Sequence, residues 1–382
     1  MKIAQVVTLV SPDGAYGGPL RVAANQLRAL RSSGHTVRLF AAHRGYATAP
    51  TQLLGVPLTT RTARMLLPGT GFAGLSSLPL LDLLRRELPR YDVVHVHLAR
   101  DLVTMPAARL ALGLGLPVVL QTHGMVDASS HWLARPLDTL MTRPVLRRAD
   151  RTLYLTERER RDLEQVSRGE ARLTELTNGV PVPPVDLAGE EKSSVEVLFL
   201  ARLHARKRPG VFVEAARRLA VEYPDVAFTL VGPDEGEGAA VQKQIADAGI
   251  STIGWEGALD PDRTLDRMRR ASIYVLPSVD EPFPMSVLEA ASCGLPCVVT
   301  DTCGLARAVD RWCAGAVVDD STEMLVGAIR ELLTDGRVRQ ERARNARAMV
   351  QEEFGIGAVA RGLETVYADV TATASAGAGG KA

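Results

Sequence analysis

The chain has 382 residues, 46% hydrophobic, 23% charged and 4% aromatic, with 45 Lys+Arg against 44 Asp+Glu. At ~100–200 residues per domain this length implies two domains, each able to bury a core without disulfides or metals. The net charge of +1 argues against a nucleic-acid binder acting through bulk charge and against a disordered acidic chain. No uninterrupted apolar run reaches the ~18–20 residues of a membrane span.

The pattern alternates short apolar runs with longer amphipathic stretches. Lys2–Val10 reads as a first strand, followed by a Gly/Pro loop and a helix over about Pro19–Ser33. His35–Ala42 is a second strand. Asp92–Leu98 (DVVHVHL) and Pro117–Gln121 (PVVLQ) read as buried strands with a helix between them. A helix near Pro136–Ala149 precedes a strand over Arg151–Leu155. Val180–Ser194, with three prolines, a glycine and a polar run, breaks the pattern and is the interdomain linker, taken as 181–194. The alternation restarts with a strand at Val195–Leu200, a helix at Pro209–Glu222 and a strand at Ala227–Val231. Strands at Ser272–Leu276 and Pro296–Thr300 flank a helix near Met285–Cys293, and helices follow over Ser321–Thr334 and Val338–Glu352. The tail 371–382 is low in complexity and is expected to be disordered. Such alternation predicts an α/β fold of two Rossmann-like, doubly wound domains, 1–180 and 195–370, facing each other across a cleft. Ligands of such sheets sit at the carboxyl ends of the strands.

Residues 1–190 carry 23 Lys+Arg and 16 Asp+Glu, a surplus of 7, whereas the remainder carries 22 and 28, a deficit of 6. The halves therefore present different fields, as different partners would require, although ordinary solvated helix faces give the same counts. The four cysteines, Cys293, Cys297, Cys303 and Cys313, lie within 21 residues and form no CxxC, which fits buried free thiols. The start lacks the basic region and cleavage site of a signal peptide, so a cytoplasmic setting is expected. Residues 61–88 mix leucine-rich patches with Gly, Pro and arginines. They read either as a core helix preceded by a loop or as a peripheral contact with a membrane or an acceptor.

Four constellations sit at strand-to-helix junctions. Tyr16-Gly17-Gly18-Pro19 lets backbone N–H groups approach an anion at a helix start, though it lacks GxGxxG and a bare turn uses the same residues. Gln121-Thr122-His123-Gly124-Met125 follows a strand, so His123 can position a sugar hydroxyl or present its carbonyl to developing positive charge; a structural histidine is the alternative. His95 and His97 share one face, lack an identifiable third metal ligand, and read as structural or peripheral. Arg202 and Lys207 bracket a turn and can hold a diphosphate, the guanidinium as a planar fork and the ammonium as a point charge; a solvated basic turn is the alternative. Glu281 and Glu289 flank Pro282-Phe283-Pro284-Met285, where a loop enters a helix. Paired carboxylates also suggest a glycoside hydrolase, but that reading leaves the basic turn unexplained. A solvated acidic loop is the remaining alternative.

With these residues in place the chain resembles the retaining glycosyltransferases of family four, with the GT-B fold. The residues that carry the resemblance are Gly17-Gly18, His123-Gly124-Met125, Asn178-Gly179-Val180, Arg202 with Lys207, Gly232 in LVGPDEG, and Glu281 to Glu289 in DEPFPMSVLEAASCGLP. It spans about residues 1–365, and Pro282 stands where this family commonly has Gly. The resemblance implies a nucleotide-sugar donor, UDP- or GDP-linked, with no cofactor and no metal. Arg202 and Lys207 would hold the diphosphate, and Glu289 the ribose hydroxyls. Glu281, with the backbone of Phe283, Pro284 and Met285, would hold the donor sugar. Gly17 and Gly18 would close on the diphosphate and acceptor, His123 would contact the sugar near the reacting carbon, and Gly232 would line the base side. The reaction would be hexosyl transfer with retention to a glycan, lipid-linked or small-molecule acceptor, as in bacterial polysaccharide biosynthesis. The final helical segment, about Glu341–Val370, would pack partly on the first domain. The alternatives are a nucleotide-sugar epimerase or other GT-B enzyme, or a non-catalytic sugar-binding protein of the same fold.

Overall fold

The computed structural model describes every residue except 13–16, 68–70, 130–133, 184–193, 261–262 and 380–382. It divides into two compact units: unit 1 holds Met1–Gly179 with Ile356–Ala382, and unit 2 holds Val180–Gly355.

Unit 1 contains β1 (Lys2–Val10), β2 (Thr36–His43), β3 (Gln52–Leu53), β4 (Val56–Thr62), β5 (Arg64–Met65), β6 (Leu75–Ser76), β7 (Val93–His97), β8 (Val118–Gln121), β9 (Arg151–Tyr154) and β10 (Leu173–Glu175). The main sheet runs β10-β9-β8-β7-β1-β2-β4-β3, and only the β3–β4 hairpin is antiparallel; β5 and β6 pair separately. Strands with helices on both faces must be apolar throughout, and β7 and β8 are buried at every position. The polar residues in this layer, Gln5, His95, His97 and Gln121, are fully or almost fully buried. Each therefore needs a partner inside the protein.

Unit 2 contains β11 (Glu196–Leu200), β12 (Ala227–Val231), β13 (Ile253–Trp255), β14 (Ile273–Leu276), β15 (Cys297–Thr300) and β16 (Gly315–Val318), all parallel, in the order β13-β12-β11-β14-β15-β16. The order reverses between β11 and β14. Such a switch point opens a crevice at the carboxyl ends of the strands. Phe199, Phe212, Phe228 and Tyr274 anchor this core. Pro209 opens the helix after β11, its fixed φ suiting a first helical position. Three of the free cysteines are buried, and Cys313 is exposed.

The C-terminal region sharpens one expectation and corrects another. The helix Gly336–Glu353 stays in unit 2 and the helix Ile356–Gly379 belongs to unit 1, so the change falls at residue 355, inside the segment 341–370. Val359, Leu363, Val366, Tyr367 and Val370 form one stripe, buried beside Leu20, Leu27 and Leu30 of the helix Gly17–Ser32. The expected disorder from residue 371 is corrected, since this helix continues to Gly379. Alanine has the highest helix propensity, and the hydroxyls of Thr371 and Thr373 donate to the carbonyls of Tyr367 and Asp369 one turn back. Most of the expected linker lies outside the described residues.

Candidate functional site

In unit 2 the sequence-predicted residues gather where the strand order reverses. The turn after β11 is a short 3-10 helix, Ala205–Lys207, capped by His204, whose Nδ1 accepts from the Arg206 N–H. The loop after β14 reaches this turn through Val279 N–H, which donates to the Arg206 carbonyl at 3.1 Å. These links bring Lys207 Nζ to 2.6 Å from Glu281 Oε2, with both side chains 11% exposed. Arg206 Nε stands 3.7 Å from the same oxygen. Burial pulls the Lys207 ammonium below its ordinary pKa; Glu281 opposes this shift, and Arg206 and Arg202 add to it. Arg202 is thus close enough to act on Lys207, and its Nη1 donates to both oxygens of Glu235, at 2.7 and 2.8 Å.

Two glycines explain how the loops come so close. A Cβ on Gly232, at φ +149°, would stand 1.9 Å from the Ala201 carbonyl oxygen. The N–H of Gly232 donates to Gly257, and its carbonyl accepts from Trp255 Nε1. A Cβ on Gly304 would meet the Pro282 carbonyl at 1.7 Å, and its N–H donates to the Glu281 carbonyl. The acidic loop therefore rests on the β15 loop, a support that sequence reading missed. Asp280 takes φ +50° and donates its N–H to Thr302 Oγ1.

The helix Met285–Ser292 begins beside Glu281. Pro284 is its N-cap without a side-chain cap bond, so the helix start can receive an anionic or hydroxyl-bearing group. Glu289, one turn in, is 4% exposed; burial raises the pKa of nearby Tyr274, and the charges of Glu289 and Glu281 add to that rise. Phe283 packs edge-on against Phe354, which holds the loop's middle.

In unit 1, Tyr16 lies outside the described residues. Gly17 and Gly18 open the helix after β1, and a Cβ on Gly18 would meet nothing within 4 Å among the described residues. At this unit's own switch point, between β1 and β7, Thr8 Oγ1 donates to Asp101 at 2.5 Å.

His123 sits just after β8 at φ +51°, followed by Gly124 at +72°. Glu159, 4% exposed, holds this turn: its carboxylate accepts from Thr122 Oγ1 (2.5 Å), Gly124 N–H (2.6 Å) and Leu155 N–H (2.7 Å). Burial raises the Glu159 pKa against those three bonds. His97, which the sequence reading set aside as structural or peripheral, is bonded to His123, with Nδ1 2.7 Å from Nε2. Their rings lie within 4° of parallel, and His95 stacks on His97 with centroids 4.6 Å apart. Burial keeps all three neutral: the pKa of His95 falls to about 3, and those of His97 and His123 fall below the ordinary histidine range.

A basic turn, an acidic loop and a helix start thus meet at one switch point. Residues 16–182 match the family described as Glycosyltransferase Family 4. Residues 188–349 match Glycosyl transferases group 1. Among solved structures, Anabaena HepE in complex with UDP matches with a TM-score of 0.74 at 18% identity, covering 97% of this chain and 100% of that one. Two Rossmann-like units of this kind give the chain the GT-B fold.

Curated relatives extend the likeness. The glycogen synthase of Mycobacterium tuberculosis (strain H37Rv) is 28% identical over 297 residues, covering 73% of this chain and 69% of that protein. An Escherichia coli UDP-Gal:alpha-D-GlcNAc-diphosphoundecaprenol alpha-1,3-galactosyltransferase is 24% identical over 317 residues, covering 77% and 79%. The chain belongs to glycosyltransferase family 4.

Proposed function

We propose that the protein is a retaining glycosyltransferase that moves a hexose from a UDP- or GDP-linked sugar to an acceptor hydroxyl. The observation that carries this reading is the meeting of Lys207 with Glu281 at the β11/β14 switch point, beside the start of the helix Met285–Ser292. Lys207 and Arg202 hold the diphosphate. Glu281 accepts hydrogen bonds from the sugar, assisted by the backbone of Phe283, Pro284 and Met285, and Glu289 takes the ribose. Gly232 lets the loop after β12 lie flat against the Arg202 turn on the base side. The family resemblance assigns Gly17 and Gly18 of unit 1 to the phosphates and His123 to a sugar hydroxyl.

In the reaction the bond from the anomeric carbon to the β-phosphate oxygen breaks, and its electron pair stays on the phosphate. The acceptor oxygen bonds to that carbon from the same face, and its proton passes to the departing phosphate. Lys207 and Arg202 neutralise the charge that develops there, the role a divalent metal would otherwise fill. A single well-placed donor of this kind contributes about 10²–10³ in rate.

The acceptor is a hydroxyl of a glycan, lipid-linked or small-molecule compound. Among the described residues no helix is long and apolar enough to cross a membrane. Unit 1 does expose Met65, Leu66, Leu67 and Leu78, at 38, 54, 52 and 70%. Of these, Leu66 and Leu78 line an apolar cavity of about 150 Å³ together with Leu81 and Leu102. Arg61, Arg64 and Arg85 are exposed on the same strand and helix segments, which suits a peripheral contact with an anionic lipid surface.

The test is transfer in a strong chelator with product analysis by NMR. We expect undiminished turnover and a product with the donor's anomeric configuration. Loss of turnover restored by a divalent ion, or an inverted product, would overturn this mechanism.

A further inference from the structure

We propose that Gln5 and His97 are positioning residues that fix His123 as the Nε2–H tautomer, leaving its Nδ1 lone pair to accept the hydrogen bond from a sugar hydroxyl. This rests on the assignment of His123 to the sugar made above.

The argument is an account of donors and acceptors along one buried chain. Strand register sets Gln5 beside His95 and His97 beside Gln121. Gln26, from the helix Gly17–Ser32, and Asn178, at the end of unit 1's first segment, complete the layer. The amides run head to tail. Gln121 Nε2 donates to Asn178 Oδ1 (2.9 Å), Gln26 Nε2 to Gln121 Oε1 (3.0 Å), and Gln5 Nε2 to Gln26 Oε1 (3.2 Å).

With its nitrogen so engaged, Gln5 turns Oε1 towards His97 Nε2, 3.0 Å away. A carbonyl oxygen only accepts, so His97 carries its hydrogen on Nε2. Both rings stay neutral because they are buried. A neutral ring has one hydrogen, so His97 Nδ1 is a lone pair. That atom lies 2.7 Å from His123 Nε2. His123 therefore donates there, and its own Nδ1 is left as an acceptor. Gln5 is itself held from the other side, since Nε2 also donates to Tyr367 Oη at 3.2 Å. The Tyr367 hydroxyl lies 2.7 Å from His95 Nδ1. The C-terminal helix thus contributes to the orientation of a side chain in the turn after β8. Reversing every amide in the chain would reverse the outcome and place the hydrogen on His123 Nδ1. The tautomer of one histidine therefore reports the orientation of the whole chain.

The experiment uses the full chain with ¹⁵N-labelled histidine and long-range ¹H–¹⁵N correlation spectra. The seven histidines give few enough signals for His123 to be assigned by its loss in His123→Asn. We expect an unprotonated Nδ1 and a protonated Nε2 on His123 at neutral pH. A protonated Nδ1, or a cationic ring, on His123 of the wild-type chain would overturn the proposal. His97→Phe keeps the stacked ring and removes both nitrogens. In it we expect mixed tautomers at His123 and kcat lowered about tenfold, the worth of one oriented hydrogen bond, with donor KM within about twofold. Unchanged His123 signals in His97→Phe would overturn the relay. If the wild-type tautomer is as expected but His123→Phe keeps full turnover, the assignment of His123 to the sugar is what fails.

Discussion

Replacing Lys207 by Met removes the ammonium from a pair 2.6 Å apart whose side chains are each 11% exposed. Breaking a buried pair from one side costs about 3–5 kcal/mol, because the remaining carboxylate loses its counter-charge. Arg206 at 3.7 Å takes up part of that burden, which places the cost near the lower end, about 3 kcal/mol. At about 2–4 °C per kcal/mol for a domain of this size, unit 2 should melt roughly 6–12 °C lower. The double variant Lys207→Met/Glu281→Gln removes both charges at nearly constant volume. It should recover to within about 1–2 kcal/mol of the wild type, since a buried pair replaced as a pair is often neutral in stability. Activity should behave differently, with donor turnover lost in the single and the double variant alike. Calorimetry and turnover measured on the same samples separate the two roles. A double variant that regains stability and turnover together would refute the reasoning, because the pair would then be only a strut. A single variant that melts with the wild type would refute the burial argument itself.

Three further outcomes are expected. Gly18→Ala meets no described atom within 4 Å, so its melting temperature should stay within about 2 °C while turnover falls at least tenfold; an unimpaired variant would remove Gly18 from the phosphate site. Burial lowers the folded-state pKa of His95, His97 and His123, so the unfolded chain binds more protons below its ordinary histidine pKa of about 6.5. Stability should therefore be complete above that pH and fall as pH drops from 6.5 towards 5, with a slope approaching three protons in urea melts; a flat profile there would contradict neutral burial. Vesicles rich in anionic lipid should sediment the protein where neutral vesicles do not, and Leu66→Glu with Leu67→Glu should release it; sedimentation indifferent to both lipid charge and substitution would refute the peripheral contact.

Much of the architecture could be read from local pattern. The nine strands expected from apolar runs all occur, most within a residue of the predicted ends, because strands covered on both faces are apolar throughout. Short or edge strands escaped notice. β13 and β16 are three and four residues long and each contains a Gly, a residue depleted in strands. The last helix was expected as far as residue 370, and its continuation to Gly379 was hidden by the low complexity of the tail.

For the candidate site, the sequence pointed to particular charges but not to what holds them. Glu159 supports the His123 turn from 36 positions away in sequence, and Gly304 props the loop at Pro282 from 22 positions away. Such supports depend on the tertiary fold, which no spacing rule encodes. His95 and His97 were visible as a pair, yet their connection to His123 arises only when β7 and β8 align. Arg202 was legible as a cation, whereas its tie to Glu235 depends on the loop after β12 folding back.

The most direct measurement is the melting temperature of the wild type and of Lys207→Met/Glu281→Gln across a panel of nucleotide sugars. A ligand at 100 times its Kd adds about 2.7 kcal/mol to the folded state, which is roughly 5–11 °C for a domain of this size. One UDP- or GDP-linked sugar should raise the wild type by that amount and leave the double variant unmoved. A wild type indifferent to the whole panel, or a double variant stabilised as strongly, would contradict the assignment of this switch point to the donor.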